Sequence, residues 1–125
     1  MPLKKYADSD FFLALLKNSD WLKEKARKIY EKNKGNIYVT PFTIAELMIV
    51  CVREKIHMRE TLFQISRIAN LEFSNWELFF RGAKYVEEGA SVFDALLMAS
   101  TGENEIISSD KIYEKFGFRV IDLKG

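Results

Sequence analysis

Little in this sequence could serve as a covalent staple or a soft-metal site. It has one cysteine, Cys51, in 125 residues, so no disulfide can close within the chain and no cysteine-rich zinc site can form. The single histidine, His57, excludes metal centres that need several imidazoles. No apolar run exceeds six residues, whereas a membrane-spanning helix needs ~20. The opening Met1-Pro2-Leu3-Lys4-Lys5 leads into folded-looking sequence and not into the long apolar stretch of a signal peptide. These absences lead to the expectation of a cytoplasmic protein with no membrane association. Net charge is only +1, so nothing global marks a partner of polyanions.

What is present is an ordinary globular mixture, 48% hydrophobic and 30% charged. A chain of this length buries roughly two-thirds of its unfolded surface, enough for one core without staples. Residues 1–125 are therefore read as one domain. Charge is unevenly spread, with nine Lys or Arg against five Asp or Glu in residues 1–35. The excess lies in Lys23, Lys25, Arg27, Lys28, Lys32 and Lys34. Such a run can attract phosphates, although Glu24 and Glu31 are interleaved as they would be on any solvated helix face.

Short apolar runs alternate with helical periods, which predicts an α/β domain. The expected strands are residues 3–7, 37–39, 71–73, 105–108 and 119–123. Helices are expected from Phe11 to Leu16, from Trp21 to about Asn33 behind an Asp20 cap, and from Pro41 to about Lys55 behind Thr40. Others follow at 59–69, from a Ser74–Glu77 capping box to about Glu88, from Ser91 to near Gly102, and at 110–116. Helices separating strands require a mostly parallel sheet with helices on both faces, a three-layer α/β/α fold.

The informative residues are carboxylates. Glu46 is the only charge in the nine residues from Ile44 to Val52. Either it faces water from an otherwise buried helix, or burial raises its pKa unless a partner holds it. Asp8 and Asp10 stand where the first strand gives way to a helix, Asp110 follows Ile106-Ile107, and Asp94 lies three residues past Ser91. Taken singly, each Asp has a helix-capping explanation. Taken together, Asp8 and Asp110 fall at the carboxyl ends of parallel strands, where open α/β sheets bind ligands. Glu46 and Asp94 belong to helices that start near the same edge. Two like charges ~4 Å apart repel by about 4 kcal/mol at an effective dielectric of 20. Convergence therefore needs protons or a cation, and an all-oxygen donor set suits Mg²⁺ or Mn²⁺.

In this order and spacing the motifs resemble those of a PIN domain, the fold of VapC-type toxin ribonucleases. Asp8-Ser9-Asp10-Phe11-Phe12-Leu13 is similar to the family's Asp-Thr/Ser-Asn-apolar opening. Thr43-Ile44-Ala45-Glu46-Leu47 resembles its helical Glu motif, and Phe93-Asp94-Ala95-Leu96-Leu97-Met98-Ala99 its Asp-Ala-Leu motif. Ile106-Ile107-Ser108-Ser109-Asp110 resembles the strand followed by Thr-x-Asp, and Phe118-Arg119-Val120-Ile121 the closing strand. Three departures stand out: Asp10 replaces a common Asn, Ser108 replaces Thr, and Ile112 occupies a position where many members carry a further Asp. The last could weaken a second metal site.

The resemblance implies Mg²⁺- or Mn²⁺-dependent hydrolysis of RNA phosphodiesters. Asp8 and Asp94 would be the principal metal ligands, with Glu46 and Asp110 acting directly or through water, and Ser9, Asp10 and Ser108 orienting them. Arg53, Lys23, Arg27 and Lys28 are candidates for RNA contact, although a surface ion pair explains Arg53 equally well. Trp21, Trp76 or Tyr30 are candidates for base stacking, although core packing is the commoner use of most aromatics. The resemblance also implies an antitoxin protein as partner and a homodimer, for which Phe12, Leu16, Leu62 and Phe63 offer apolar faces, although the ordinary core also needs them. Alternatives within the fold are an RNA-processing nuclease for ribosomal RNA and a catalytically silent scaffold. A haloacid-dehalogenase-type phosphatase would need Thr where Phe12 stands.

Overall fold

Side chains on the strands alternate between two separate cores, which is the direct consequence of a two-residue strand period. The computed structural model describes residues 3–17, 20–72 and 75–125. Its strands are β1 (Lys5–Ala7), β2 (Ile37–Val39), β3 (Asn70–Leu71), β4 (Glu105–Ser108) and β5 (Arg119–Asp122). They form one sheet in the order β3-β2-β1-β4-β5, and every pairing is parallel. Tyr6 lies opposite Tyr38 on one side and Ile106 on the other.

The helices are α1 (Ser9–Leu16), α2 (Lys23–Lys32), α3 (Pro41–Glu54), α4 (Met58–Ile68), α5 (Trp76–Glu87), α6 (Val92–Thr101) and α7 (Ile112–Lys115). On one face of the sheet, Ala7, Ile37, Val39 and Ile107 pack with Phe11, Phe12, Ala26, Ile29, Leu47 and Ile65 from α1 to α4. On the other, Tyr6 and Ile106 pack with Ala95, Leu97, Met98 and Tyr113 from α6 and α7. Three layers result, as the alternation of strands and helices requires.

Local chemistry sets most element ends. Thr40 caps α3 by accepting from the Thr43 N–H, with Pro41 at the first helical position. Gly82, inside α5, lets that helix approach α6: a Cβ there would meet the Leu96 Cδ2 at 3.0 Å. Some ends differ from expectation. Asp20 does not cap α2. Its carboxylate accepts from the Leu22 N–H in a preceding turn, and the helix begins at Lys23. The cap of α5 is Asn75, while Ser74 and Phe73 lie outside the described residues. His57 caps α4 by accepting from the Glu60 N–H through Nδ1, a use of the lone imidazole that its sequence neighbourhood did not signal.

Phe12 is completely buried, so it belongs to the core and offers no dimer surface. Trp21 and Trp76 go the other way, at 76% and 79% exposed, so neither ring is used in the core. Among the described residues no helix is long and apolar enough to cross a membrane.

Candidate active site

The chain moves outward from β1 through β2 to β3, then returns to the other side of β1 for β4 and β5. That reversal places a topological switch point between β1 and β4, where the two following segments diverge and leave a crevice. Asp8 follows β1 there, Ser108 ends β4, and Ser109 and Asp110 follow it. Glu46 of α3 and Asp94 of α6 face the same opening. The pocket is lined by Asp8, Ser9, Asp10, Glu46, Asp94, Ser109, Asp110, Lys111 and Lys124. All four carboxylates singled out in the sequence are thus brought to one place, together with Asp10.

Each carboxylate is held differently. Asp8 is the cap of α1: its Oδ1 accepts from the Ser9 N–H at 2.8 Å. Its Oδ2 accepts from Ser108 Oγ at 3.0 Å and from the Tyr113 hydroxyl at 2.8 Å. Capping and pocket lining are therefore the same act here. Asp10 does not cap. Its Oδ2 accepts from the Ser109 N–H at 2.9 Å and from the Ser109 hydroxyl, tying the first turn of α1 to the loop after β4. Its Oδ1 is buried without a hydrogen-bond partner among the described residues.

Asp94 sits in the first turn of α6, where Ser91 Oγ accepts from its N–H. Its carboxylate turns inward and accepts from the Tyr113 hydroxyl at 2.9 Å. Asp110 is exposed, and its Oδ1 accepts from the Ile112 N–H. Glu46 is half-buried beside Ser9.

Burial and mutual repulsion set the electrostatics. Desolvation, reinforced by the charge of Asp10, pushes the Asp8 carboxyl up to about 7, against the opposing pull of its three hydrogen-bond donors. Burial also raises Asp10, against the Ser109 contacts. Glu46 is raised by burial and by the charges of Asp94 and Asp10, with a Ser9 hydrogen bond opposing. The Tyr113 hydroxyl is raised for the same reasons, burial first and then the two aspartates, so it stays a donor at all ordinary pH.

Among the described residues, no three His, Cys, Asp or Glu side chains stand close enough to grip one ion together. The donors nevertheless suit a hard cation. All are oxygens, one carboxylate oxygen is buried without a partner among the described residues, and burial together with the Asp10 charge makes Asp8 resist ionising. Mg²⁺ commonly takes one or two carboxylates and keeps water in its other positions. A pair such as Asp8 and Asp94 meets that demand without a closed cage.

The expected RNA-contact residues lie elsewhere. Arg53, near the C-terminal end of α3, pairs with Glu54 at 3.3 Å and does not line the pocket. The helical rise puts it about 10 Å along the axis from Glu46. Lys23 donates to the Leu15 carbonyl, Arg27 pairs with Glu24, and Lys28 is exposed, all away from the pocket lining. The cations at the pocket are Lys111 and Lys124. Lys111 also reaches Asp122 at 2.5 Å. Sequence reading missed both lysines and Tyr113. A Lys directly after Asp110 was the one available signal, and for Tyr113 a hydroxyl three residues past it.

Comparison with known proteins bears on the family and the fold. The family model described as PIN domain matches residues 5–119. No curated protein sequence matches the chain significantly. Among solved structures, VapC20 of Mycobacterium tuberculosis, a Sarcin-Ricin loop cleaving toxin, is similar at a TM-score of 0.75 and 16% identity, covering 92% of this chain and 96% of that one. A toxin–antitoxin complex from Klebsiella pneumoniae gives a TM-score of 0.77 at 15% identity, covering 96% and 98%. DNA-bound VapBC from Salmonella typhimurium gives 0.71 at 15%, covering 97% and 98%. At these identities the solved structures speak for the fold alone, and the match over residues 5–119 speaks for the family. With its acidic pocket at the β1–β4 switch point, this chain belongs to the PIN domain family.

Proposed function

We propose that the chain is a metal-dependent endoribonuclease and the toxin of a VapBC-type toxin–antitoxin pair. The observation that carries this reading is the convergence of Asp8, Glu46, Asp94 and Asp110 on one open, polar pocket at the switch point. A cleft lined this way repels a phosphodiester unless a cation intervenes. Asp8 and Asp94 would hold Mg²⁺ or Mn²⁺, with Glu46 and Asp110 acting through water. When bound, the cation would lower the pKa of an attacking water and offset charge on the phosphoryl oxygens.

The chain's own residues do the rest. Ser9, Ser108 and Tyr113 keep the Asp8 carboxylate oriented by donating to it. Asp10 joins α1 to the loop that carries Asp110. Lys111 and Lys124 stand at the rim, where an RNA backbone would present further phosphates. In the reaction, water oxygen bonds to phosphorus as the P–O3′ bond breaks, leaving a 5′-phosphate and a 3′-hydroxyl.

A protein partner is part of the same reading. Trp76 and Phe80 on α5 and Ile49 and Val52 on α3 are exposed apolar side chains. The Phe79 ring stacks edge-on against Phe42, one turn before Glu46, and also contacts Trp76. An antitoxin peptide crossing these helices would reach the pocket. The same apolar helix faces offer a homodimer contact.

The test is cleavage of end-labelled total tRNA and rRNA by the purified chain in Mg²⁺, Mn²⁺ or EDTA, with Asp94→Asn in parallel. Metal-dependent cuts bearing 5′-phosphates, reduced at least ~100-fold in Asp94→Asn, are expected. Identical cuts by both proteins would mark contamination and favour a silent scaffold.

A further inference from the structure

Tyr113 is fully buried although it belongs to a helix of only four residues. Its ring fills the core between the sheet and α6, in the cluster with Tyr6, Ala95, Met98 and Ile106. A buried phenol needs a partner for its hydroxyl. This one has two, and both are pocket carboxylates: Asp8 Oδ2 at 2.8 Å and Asp94 Oδ1 at 2.9 Å.

The two aspartates come from different parts of the fold, one at the end of β1 and the other in the first turn of α6. A single oxygen bonded to both cannot leave their bonded oxygens more than about 6 Å apart. The hydroxyl carries one proton, so it donates fully to one carboxylate at a time. Asp8 Oδ2 has a second donor in Ser108, which covers it when the Tyr113 proton turns to Asp94. For the Asp94 carboxylate, the hydroxyl of Tyr113 is the hydrogen-bond donor among the described residues.

We propose that Tyr113 is a positioning residue of the cation site, its hydroxyl holding Asp8 and Asp94 in the mutual placement from which they take up a divalent ion together. The inference rests on the metal-nuclease reading. Groups that orient ligating side chains from behind commonly change metal affinity by 10–100-fold when removed. The ring anchors the hydroxyl rigidly because it is packed on all sides. Neither Asp8 nor Asp94 then has to be immobilised at the moment of binding.

Tyr113→Phe removes one oxygen and keeps the packed ring. In calorimetric titrations of chelator-treated protein with Mn²⁺, the variant should bind 10–100-fold more weakly than wild type. Cleavage should fall in step at limiting Mn²⁺ and recover to within a few-fold when Mn²⁺ saturates. A purely structural hydroxyl would alter melting temperature and leave Mn²⁺ affinity unchanged, which overturns the proposal. Binding tighter than wild type also overturns it, because the hydroxyl would then compete with the ion. Absence of Mn²⁺ binding in wild type removes the metal reading and this inference together, whereas equal binding in both proteins removes only the inference.

A second measurement needs no variant. With ¹³C at the Cζ of its five tyrosines, wild-type protein should show the assigned Tyr113 resonance moving in proportion to Mg²⁺ occupancy. A Tyr113 signal that stays fixed through Mg²⁺ saturation overturns the proposal.

Discussion

Replacing Asp8 with asparagine should make the protein more stable, and by an amount that depends on pH. The unfolded carboxyl titrates near 3.8, while in the folded chain burial and the Asp10 charge push it up to about 7. Between those values the native state holds a proton that the unfolded state has released. Wild-type stability from this group is therefore full below pH 3.8 and is lost as pH rises toward 7. An amide carries no titratable proton in this range, so the Asp8→Asn variant does not suffer the loss. Integrating the linkage from pH 5 to pH 8, the variant's advantage should widen by about 2.5 kcal/mol. At pH 8 the side-chain amide keeps a carbonyl to accept from the Ser9 N–H and an NH2 that can donate to the Ser108 and Tyr113 oxygens, so most of this gain should survive. Urea unfolding in EDTA at pH 5, 6.5 and 8, followed by circular dichroism, measures it directly. Saturating Mg²⁺ at pH 8 should erase much of the difference, since a cation stabilises the ionised Asp8 and binds the neutral amide poorly. Nuclease activity should be lost at every pH. A wild-type-minus-variant stability difference that stays flat from pH 5 to pH 8 would refute the argument that Asp8 is desolvated and crowded by Asp10.

Two further outcomes follow from the same geometry. Lys124→Gln should raise KM for RNA several-fold, more than it lowers kcat, and flatten the log–log salt dependence of binding by about one unit, as measured by filter binding across a KCl series. Gly82→Leu should destabilise by about 1–3 kcal/mol in urea titrations, because α5 meets the Leu96 side chain with no room for added carbons.

The layered fold was legible because strand and helix periods are local properties. Ile37-Tyr38-Val39 and Ile106-Ile107 read as strands, Thr40-Pro41 as a helix start, and helices between strands force parallel pairing. The acidic residues were legible as well, because Glu46 is so plainly out of place in its apolar run, Asp8 and Asp110 fall at strand ends, and Asp94 follows a helix cap. Their convergence on one pocket depends on strand order, which sequence only constrains. Once β4 lies beside β1, Ser108 comes within 3.0 Å of Asp8 across a hundred residues of chain.

Other features had no local signature. An aromatic at position 113 reads as core and is core, and only packing reveals that its hydroxyl ends between two carboxylates. Arg53 shares a nominal helix face with Glu46, yet the rise along α3 carries it out of reach and into an ion pair with Glu54. Trp21 and Trp76 look like core residues by composition, and the fold leaves both on the surface. Sequence by itself determined which elements form and which residues bear charge, because both depend on neighbours a few positions away. Tertiary structure decided which charges meet, which are desolvated and which hydroxyl stands between them, because those depend on distances between segments that the chain brings together only on folding.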